Sequence, residues 1–113
     1  MKIIPEELTL KELSEMAAAT FGNLVKAVVD VDRRIIALDA ELHSDLEALL
    51  LADGSKQKNL WGINLYPSLE KDGFIEFDSI INIRPSQGNT SRVVENDQIR
   101  SKIVEIVAQR IKR

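Results

Sequence analysis

The chain of 113 residues has no cysteine and one histidine, with one tryptophan, one tyrosine and three phenylalanines for its aromatics. Without cysteine there is no disulfide, no thiolate nucleophile and no thiolate metal site. With His43 as the sole imidazole, every histidine role in acid–base or metal chemistry falls on that residue and no second ring can join it. So few aromatics leave little for stacking nucleobases. Long apolar runs are also missing, so no segment reads as a membrane-spanning helix. Met1-Lys2-Ile3-Ile4 runs at once into Pro5, Glu6 and Glu7 and lacks the apolar stretch of a secretory signal. A cytoplasmic protein is the expectation.

What is there is the profile of an ordinary globular domain, 44% apolar and 29% charged. The length fits one domain over residues 1–113. The net charge of −3 is unevenly spread. Between Asp30 and Asp53 lie Asp30, Asp32, Asp39, Glu41, Asp45, Glu47 and Asp53 against Arg33 and Arg34. Between Arg100 and Arg113 the bases Arg100, Lys102, Arg110, Lys112 and Arg113 face Glu105 alone. A basic end can attract nucleic acid, but it equally complements the dipole of a helix C-terminus. In a chain that is acidic overall the second reading is favoured, and nucleic-acid contact is the weaker alternative.

The pattern predicts a short strand at Lys2–Ile4 that ends at Pro5. Thr9-Leu10-Lys11-Glu12 has the form of a capping box, opening a helix to about Phe21 that Gly22 and Asn23 stop. Leu10, Leu13, Met16, Ala17 and Phe21 recur at helical spacing and are expected to face the core. Leu24–Val31 and Ile35–Leu38 read as a hairpin about the turn Asp30–Arg34. Asp39 is a candidate N-cap for a helix carrying Leu42, Leu46, Leu49 and Leu50, closed near Gly54. Ser44-Asp45-Leu46-Glu47 offers a second, later start.

The second hairpin is the most legible part. Leu60–Tyr66 and Phe74–Arg84 both alternate, with 67–73 joining them. Opposing Tyr66 to Phe74 pairs Asn64 with Glu76 and Gly62 with Asp78. One face then collects Trp61, Ile63, Leu65, Ile75, Phe77, Ile81 and Ile83 as core, and the other Asn64, Tyr66, Glu76, Asp78, Asn82 and Arg84. A polar loop follows Pro85. A last helix from Asn96 or Asp97 carries Ile99, Ile103, Ile106, Val107 and Ile111, with Arg100 and Arg110 beside that stripe. The order is (β)αββαββα, an α+β fold with an antiparallel or mixed sheet and helices packed on one face.

Asp39, His43 and Glu47 are spaced to form one stripe on a continuous helix, and Asp45 lies beside it. A histidine and a carboxylate four apart can act as an acid/base pair or begin a metal site. The same spacing also describes a cap followed by a solvated ion pair. The polar hairpin face can be a binding surface or a solvent face; its paired carboxylates beside an arginine could do acid–base work if burial splits their pKa values. Arg84 and Arg92 flank the loop holding Gly88 and could clamp an anion, although no phosphate-binding loop signature is present. No cofactor motif is found.

Three stretches carry a resemblance. They are Phe21-Gly22 with Val25–Val31, Glu41–Glu47 through Asp53-Gly54-Ser55, and Leu60–Asn64 followed by Ile81-Asn82-Ile83-Arg84-Pro85. Together they resemble a family of small stand-alone bacterial proteins classed as a domain of unknown function, over about Phe21 to Ile111. The resemblance implies a self-contained domain and supplies no activity, cofactor or site residue. It also implies a tight turn at Asp39-Ala40, where family members carry glycine, which counts against an Asp39 cap.

The expectation is therefore a non-catalytic domain that binds a partner protein or a small ligand through Asn64, Tyr66, Glu76, Asp78, Asn82, Arg84 and Arg92. The alternative is a small hydrolase built on His43 with Asp45 or Glu47, with or without a metal. A homodimer through a hairpin edge remains open on the same grounds.

Overall fold

A computed structural model describes residues 1–4 and 6–113. Thr9 caps the first helix in full. Its hydroxyl accepts the Glu12 N–H at 3.1 Å, and the Glu12 carboxylate accepts the Thr9 N–H at 3.3 Å. Helix α1 (Leu10–Ala19) then runs until Gly22, at φ +94°, turns the chain and donates its N–H to Ala17. Phe21, expected in the core, is instead 44% exposed beyond the helix end. The expected end of the first strand at Pro5 lies outside the described residues.

Strands β1 (Lys2–Ile4), β2 (Leu8–Thr9), β3 (Val25–Asp30), β4 (Ile35–Leu38), β5 (Leu60–Leu65), β6 (Ile75–Glu76) and β7 (Ile111–Lys112) complete the sheet structure. The main sheet has the order β1-β4-β3-β5-β6 and every pairing in it is antiparallel. β2 and β7 form a separate parallel pair joining the two ends of the chain. The fold is α+β, as the pattern implies.

The hairpin β3–β4 closes on Asp30. Its Oδ1 accepts the N–H groups of Asp32 and Arg33 at 2.9 and 3.0 Å, and Oδ2 accepts the Ser55 hydroxyl at 2.6 Å. This buried carboxylate therefore builds a turn, the role its type favours. β3 and β4 are apolar on both faces, and that decides where the helices go. Ala27, Val29, Ile36 and Leu38 join Trp61, Ile63 and Leu65 under α1 and α3 (Asp97–Arg110). Val28, Ile35 and Ala37 need a second cover, supplied by Leu46 and Leu50 of α2 (His43–Ala52). The helices thus lie on both faces of the sheet, two on one side and α2 on the other, rather than on one face.

The register of β5 on β6 follows the alternation: Asn64 faces Glu76 and Leu65 faces Ile75. The second strand, however, ends at Glu76 and does not continue to Arg84. From Ser79 the chain coils into two 3₁₀ turns, Ile80–Asn82 and Pro85–Gln87. Ile81 accordingly packs under α2, and Ile83 is 43% exposed rather than core. Ser79 and Ile81 lie against Gly62, where an added Cβ would stand 2.5 Å from the Ser79 Cβ. Only glycine lets the coil approach β5 this closely.

Ion pairs leave the charge asymmetry of the sequence standing, because they use the two bases of the acidic stretch and the one acid of the basic end. Arg33 pairs with Asp53 at 2.8 Å, and Arg34 with Glu105 on α3 at 3.0 Å. The Arg110 guanidinium donates to the Arg34 carbonyl at 2.9 Å.

Candidate functional site

Half of the polar hairpin face proves to be internal: Asn64, Asn82 and Arg84 are buried. Asn82 is fully buried. Its carboxamide accepts the Gly62 N–H at 2.8 Å and donates to the Gly62 carbonyl at 3.0 Å and the Arg92 carbonyl at 3.0 Å. The side chain thus substitutes for a strand partner where β6 has ended, because buried backbone groups must be paired. Asn89, also buried, repeats the device: it donates to the carbonyls of Asn82, Ser91 and Val93 and accepts the Glu95 N–H. Sequence reasoning missed Asn89, which stood only as part of a polar loop.

Arg84 turns inward. Its guanidinium donates to the carbonyls of Leu60 and Ile81, lies 4.8 Å over the Trp61 ring, and stands 3.5 Å from Glu47 on α2. Burial lowers its pKa, and Glu47 works against that shift. Glu47 Oε2 and Arg84 Nη1 nevertheless lack a hydrogen-bond partner. The two are an ion pair by distance without hydrogen-bond geometry, and such pairs recover little of their desolvation cost. Arg92 is exposed and its guanidinium grips Asp78 at 2.9 and 3.3 Å, a contact that raises its pKa. Arg84 and Arg92 therefore diverge and form no clamp around the loop.

Asp39 does not cap α2. It adopts φ +74°, left-handed backbone, and the helix begins at His43 with Leu42 as an N-cap that supplies no side-chain hydrogen bond. At the junction where the resemblance implies glycine, the backbone thus takes a conformation that glycine favours, with aspartate in it. Asp39, His43 and Glu47 consequently share no helix stripe. Asp45 is exposed, and Glu47 is engaged by Arg84. Neither carboxylate of the hydrolase reading is hydrogen-bonded to His43. Among the described residues no group of His, Asp and Glu side chains stands ready to hold a metal ion.

His43 is nine-tenths buried, and its Nε2 lies 2.7 Å from the Ile63 carbonyl on β5. A carbonyl can only accept, so Nε2 carries the proton and the neutral ring keeps its lone pair on Nδ1. Burial is the main cause that lowers the His43 pKa; Lys26 and Arg92 add to the shift, while Ile63 and Asp78 oppose it. The ring lines a cleft of about 210 Å³ with Lys26, Ser44, Ser79, Ile80 and Arg92. Lys26 reaches it from β3, its ammonium 5.2 Å from the Phe21 ring. The cleft thus combines an uncapped helix start, where the His43 and Ser44 N–H groups have no intrahelical partner, with the Lys26 ammonium and the Arg92 guanidinium, the latter held by Asp78.

On the β5–β6 hairpin, Glu76 accepts hydrogen bonds from Asn64 at 2.8 Å and from the Tyr66 hydroxyl at 3.1 Å. Burial, then that bond, raises the Tyr66 pKa. Asn64 Oδ1 is buried without a partner. Of the expected binding residues, then, Asp78 and Arg92 reach the neighbourhood of His43. Tyr66, Glu76 and Asn64 form a local network, and Asn82 and Arg84 hold the scaffold.

The model of the family described as "Protein of unknown function (DUF5674)" matches residues 2–110, and the chain belongs to that family. No curated protein and no solved structure matches it. Among the described residues no helix is long and apolar enough to cross a membrane.

Proposed function

We propose, on the premise of a family to which no activity is attached, that this chain is a non-catalytic binding domain that takes a small anionic group at the start of α2. One observation carries the reading: Lys26 and Arg92 meet in one cleft with the uncapped N-terminus of a ten-residue helix that begins at His43. Backbone N–H groups and the dipole at a helix start favour an anion. Lys26 adds a positive charge with no acidic partner among the described ion pairs. The Ser44 and Ser79 hydroxyls supply neutral donors in the same cleft. A volume of about 210 Å³ suits a phosphate or a small carboxylic acid and is below the usual range for larger ligands. A cytoplasmic setting is part of this reading, in keeping with a chain that has no cysteine.

A hydrolase reading has less support. His43 has its Nε2 proton committed to Ile63, and its expected carboxylates are engaged elsewhere or exposed.

The test is a ¹⁵N-resolved NMR titration with inorganic phosphate and, separately, malonate. The amides of His43 and Ser44 are expected to shift and saturate with at least one of them, and Lys26→Glu to remove the effect while leaving the remaining spectrum intact. No saturable shift, or the same shift in the Lys26→Glu protein, overturns the proposal.

A further inference from the structure

A second surface lies across the sheet from α2, where α3 runs beside β6. Two open cavities, of about 250 and 580 Å³, share Ile75 and Val104 and run together as one groove. Its walls are Phe74, Ile75 and Phe77 on one side and Val104, Val107 and Ile111 on the other. Val104 is 48% exposed although it sits among these apolar neighbours. Each end of the groove carries an arginine stacked on an aromatic ring. Arg100 lies 4.5 Å over Phe77, and Arg113 lies 4.7 Å over Phe74. Neither arginine is in an ion pair among the described residues. Asp72 is the one carboxylate on the lining.

The backbone of β6 offers a further handle. The Phe74 carbonyl accepts the Tyr66 N–H, and Glu76 pairs with Asn64. By antiparallel alternation the N–H and C=O of Ile75 face away from β5.

We infer that this groove docks an extended peptide segment in which two carboxylates flank an apolar side chain. The spacing follows from the two rings. Arg100 and Arg113 stack on Phe77 and Phe74, three residues apart, about 10 Å of extended chain at about 3.3 Å per step. The first and fifth residues of an extended segment stand about 13 Å apart, within reach of both guanidiniums. Alternate side chains of such a segment face one way. The occupant is thus an acidic residue, an apolar residue two positions on, and a second acidic residue two positions beyond. The carboxylates meet Arg100 and Arg113, the apolar side chain fills the space between Val104 and Ile75, and Ile75 supplies main-chain hydrogen bonds. Apolar anchoring with main-chain pairing is a recurrent mode of peptide recognition, and the two guanidiniums supply the charge selection.

The experiment is selection of a random dodecapeptide phage library on the immobilised full chain, followed by fluorescence anisotropy with the enriched consensus peptide. The consensus is expected to carry acid–x–apolar–x–acid, and both Arg113→Glu and Val104→Lys to weaken it at least tenfold. Circular dichroism confirms that each variant is folded. The inference fails if nothing enriches, if the consensus lacks acidic residues, or if both variants bind as well as the parent. It fails equally if light scattering shows a dimer that Val104→Lys dissociates, because a second copy then occupies the groove.

Discussion

Replacing Asn82 by alanine tests the claim that one side chain closes the sheet. The carboxamide pairs both backbone groups of Gly62, and Gly62 itself is buried. The third partner, the Arg92 carbonyl, also receives the Ser79 N–H at 3.0 Å and stays satisfied without Asn82. Asn82→Ala therefore orphans two buried groups. At about 1–3 kcal/mol for each, the loss comes to about 2–6 kcal/mol, a large share of the roughly 5–15 kcal/mol that holds a typical domain together. Urea unfolding followed by circular dichroism reads this as a lower midpoint at unchanged slope. Amide exchange gives the local signature, with Gly62 losing protection ahead of its neighbours on β5. Asn82→Asp separates donor from acceptor. It keeps the acceptor for the Gly62 N–H and turns a buried carboxyl toward two carbonyls. Burial there raises the folded-state pKa of that carboxyl, so the variant is least impaired at low pH and loses stability as pH rises through the unfolded value. A loss below about 1 kcal/mol for Asn82→Ala, or unchanged exchange at Gly62, refutes the reasoning.

The remaining expectations concern His43, Asp39 and Gly62. His43 has a lowered folded-state pKa, so its contribution is complete above the unfolded value of about 6.5 and is lost as pH falls toward the folded one. Urea midpoints at stepped pH values should decline across that window in the parent and flatten in His43→Gln, and a parallel decline in both proteins sinks the assignment. Asp39 sits at φ +74°, where glycine is at ease, so Asp39→Gly should raise stability by up to about 1 kcal/mol and Asp39→Val lower it by about 1–2 kcal/mol. Equal melting temperatures for the two variants would contradict that account. Gly62→Ala should cost about 1–3 kcal/mol through overpacking on Ser79, and Ser79→Gly should recover part of the loss. A double-mutant cycle without coupling would show that the clash lies elsewhere.

The parts of this fold legible in the sequence were those in which one residue type had one use. Thr9 and Glu12 cap α1 because nothing else competes for them. The pairing of Asn64 with Glu76 follows from strict alternation on both strands. The reading broke where polar side chains did backbone work. Asn82 and Arg84 look like a wet strand face, and Asn89 like part of a polar loop, until their amide and guanidinium groups are found on main-chain partners, and alternation cannot tell solvent from a buried carbonyl. The two-sided apolar character of β3 and β4 (Val25 to Asp30, Ile35 to Leu38) is written in the sequence, and it calls for a helix on each face rather than on one. At the candidate site, His43 was found as the lone imidazole. Its companions Lys26 and Ser79 come from distant strands and turns, and no local spacing could announce them.

The parallel clasp of β2 on β7 has a kinetic consequence. It joins Leu8 to Ile111 and Thr9 to Lys112, so it can form only when nearly the whole chain is available. Closing a loop about ten times longer than a hairpin-scale loop costs about 2 kcal/mol more in chain entropy, at about 0.6 kcal/mol per doubling. Two residues a side return little against that cost until α1 and α3 are already seated on the sheet. The clasp should therefore be the last contact made on the ribosome or in refolding and the first to open under a protease. Opening it would bare the Phe74 end of the α3 groove while leaving the five-stranded sheet and the His43 cleft closed.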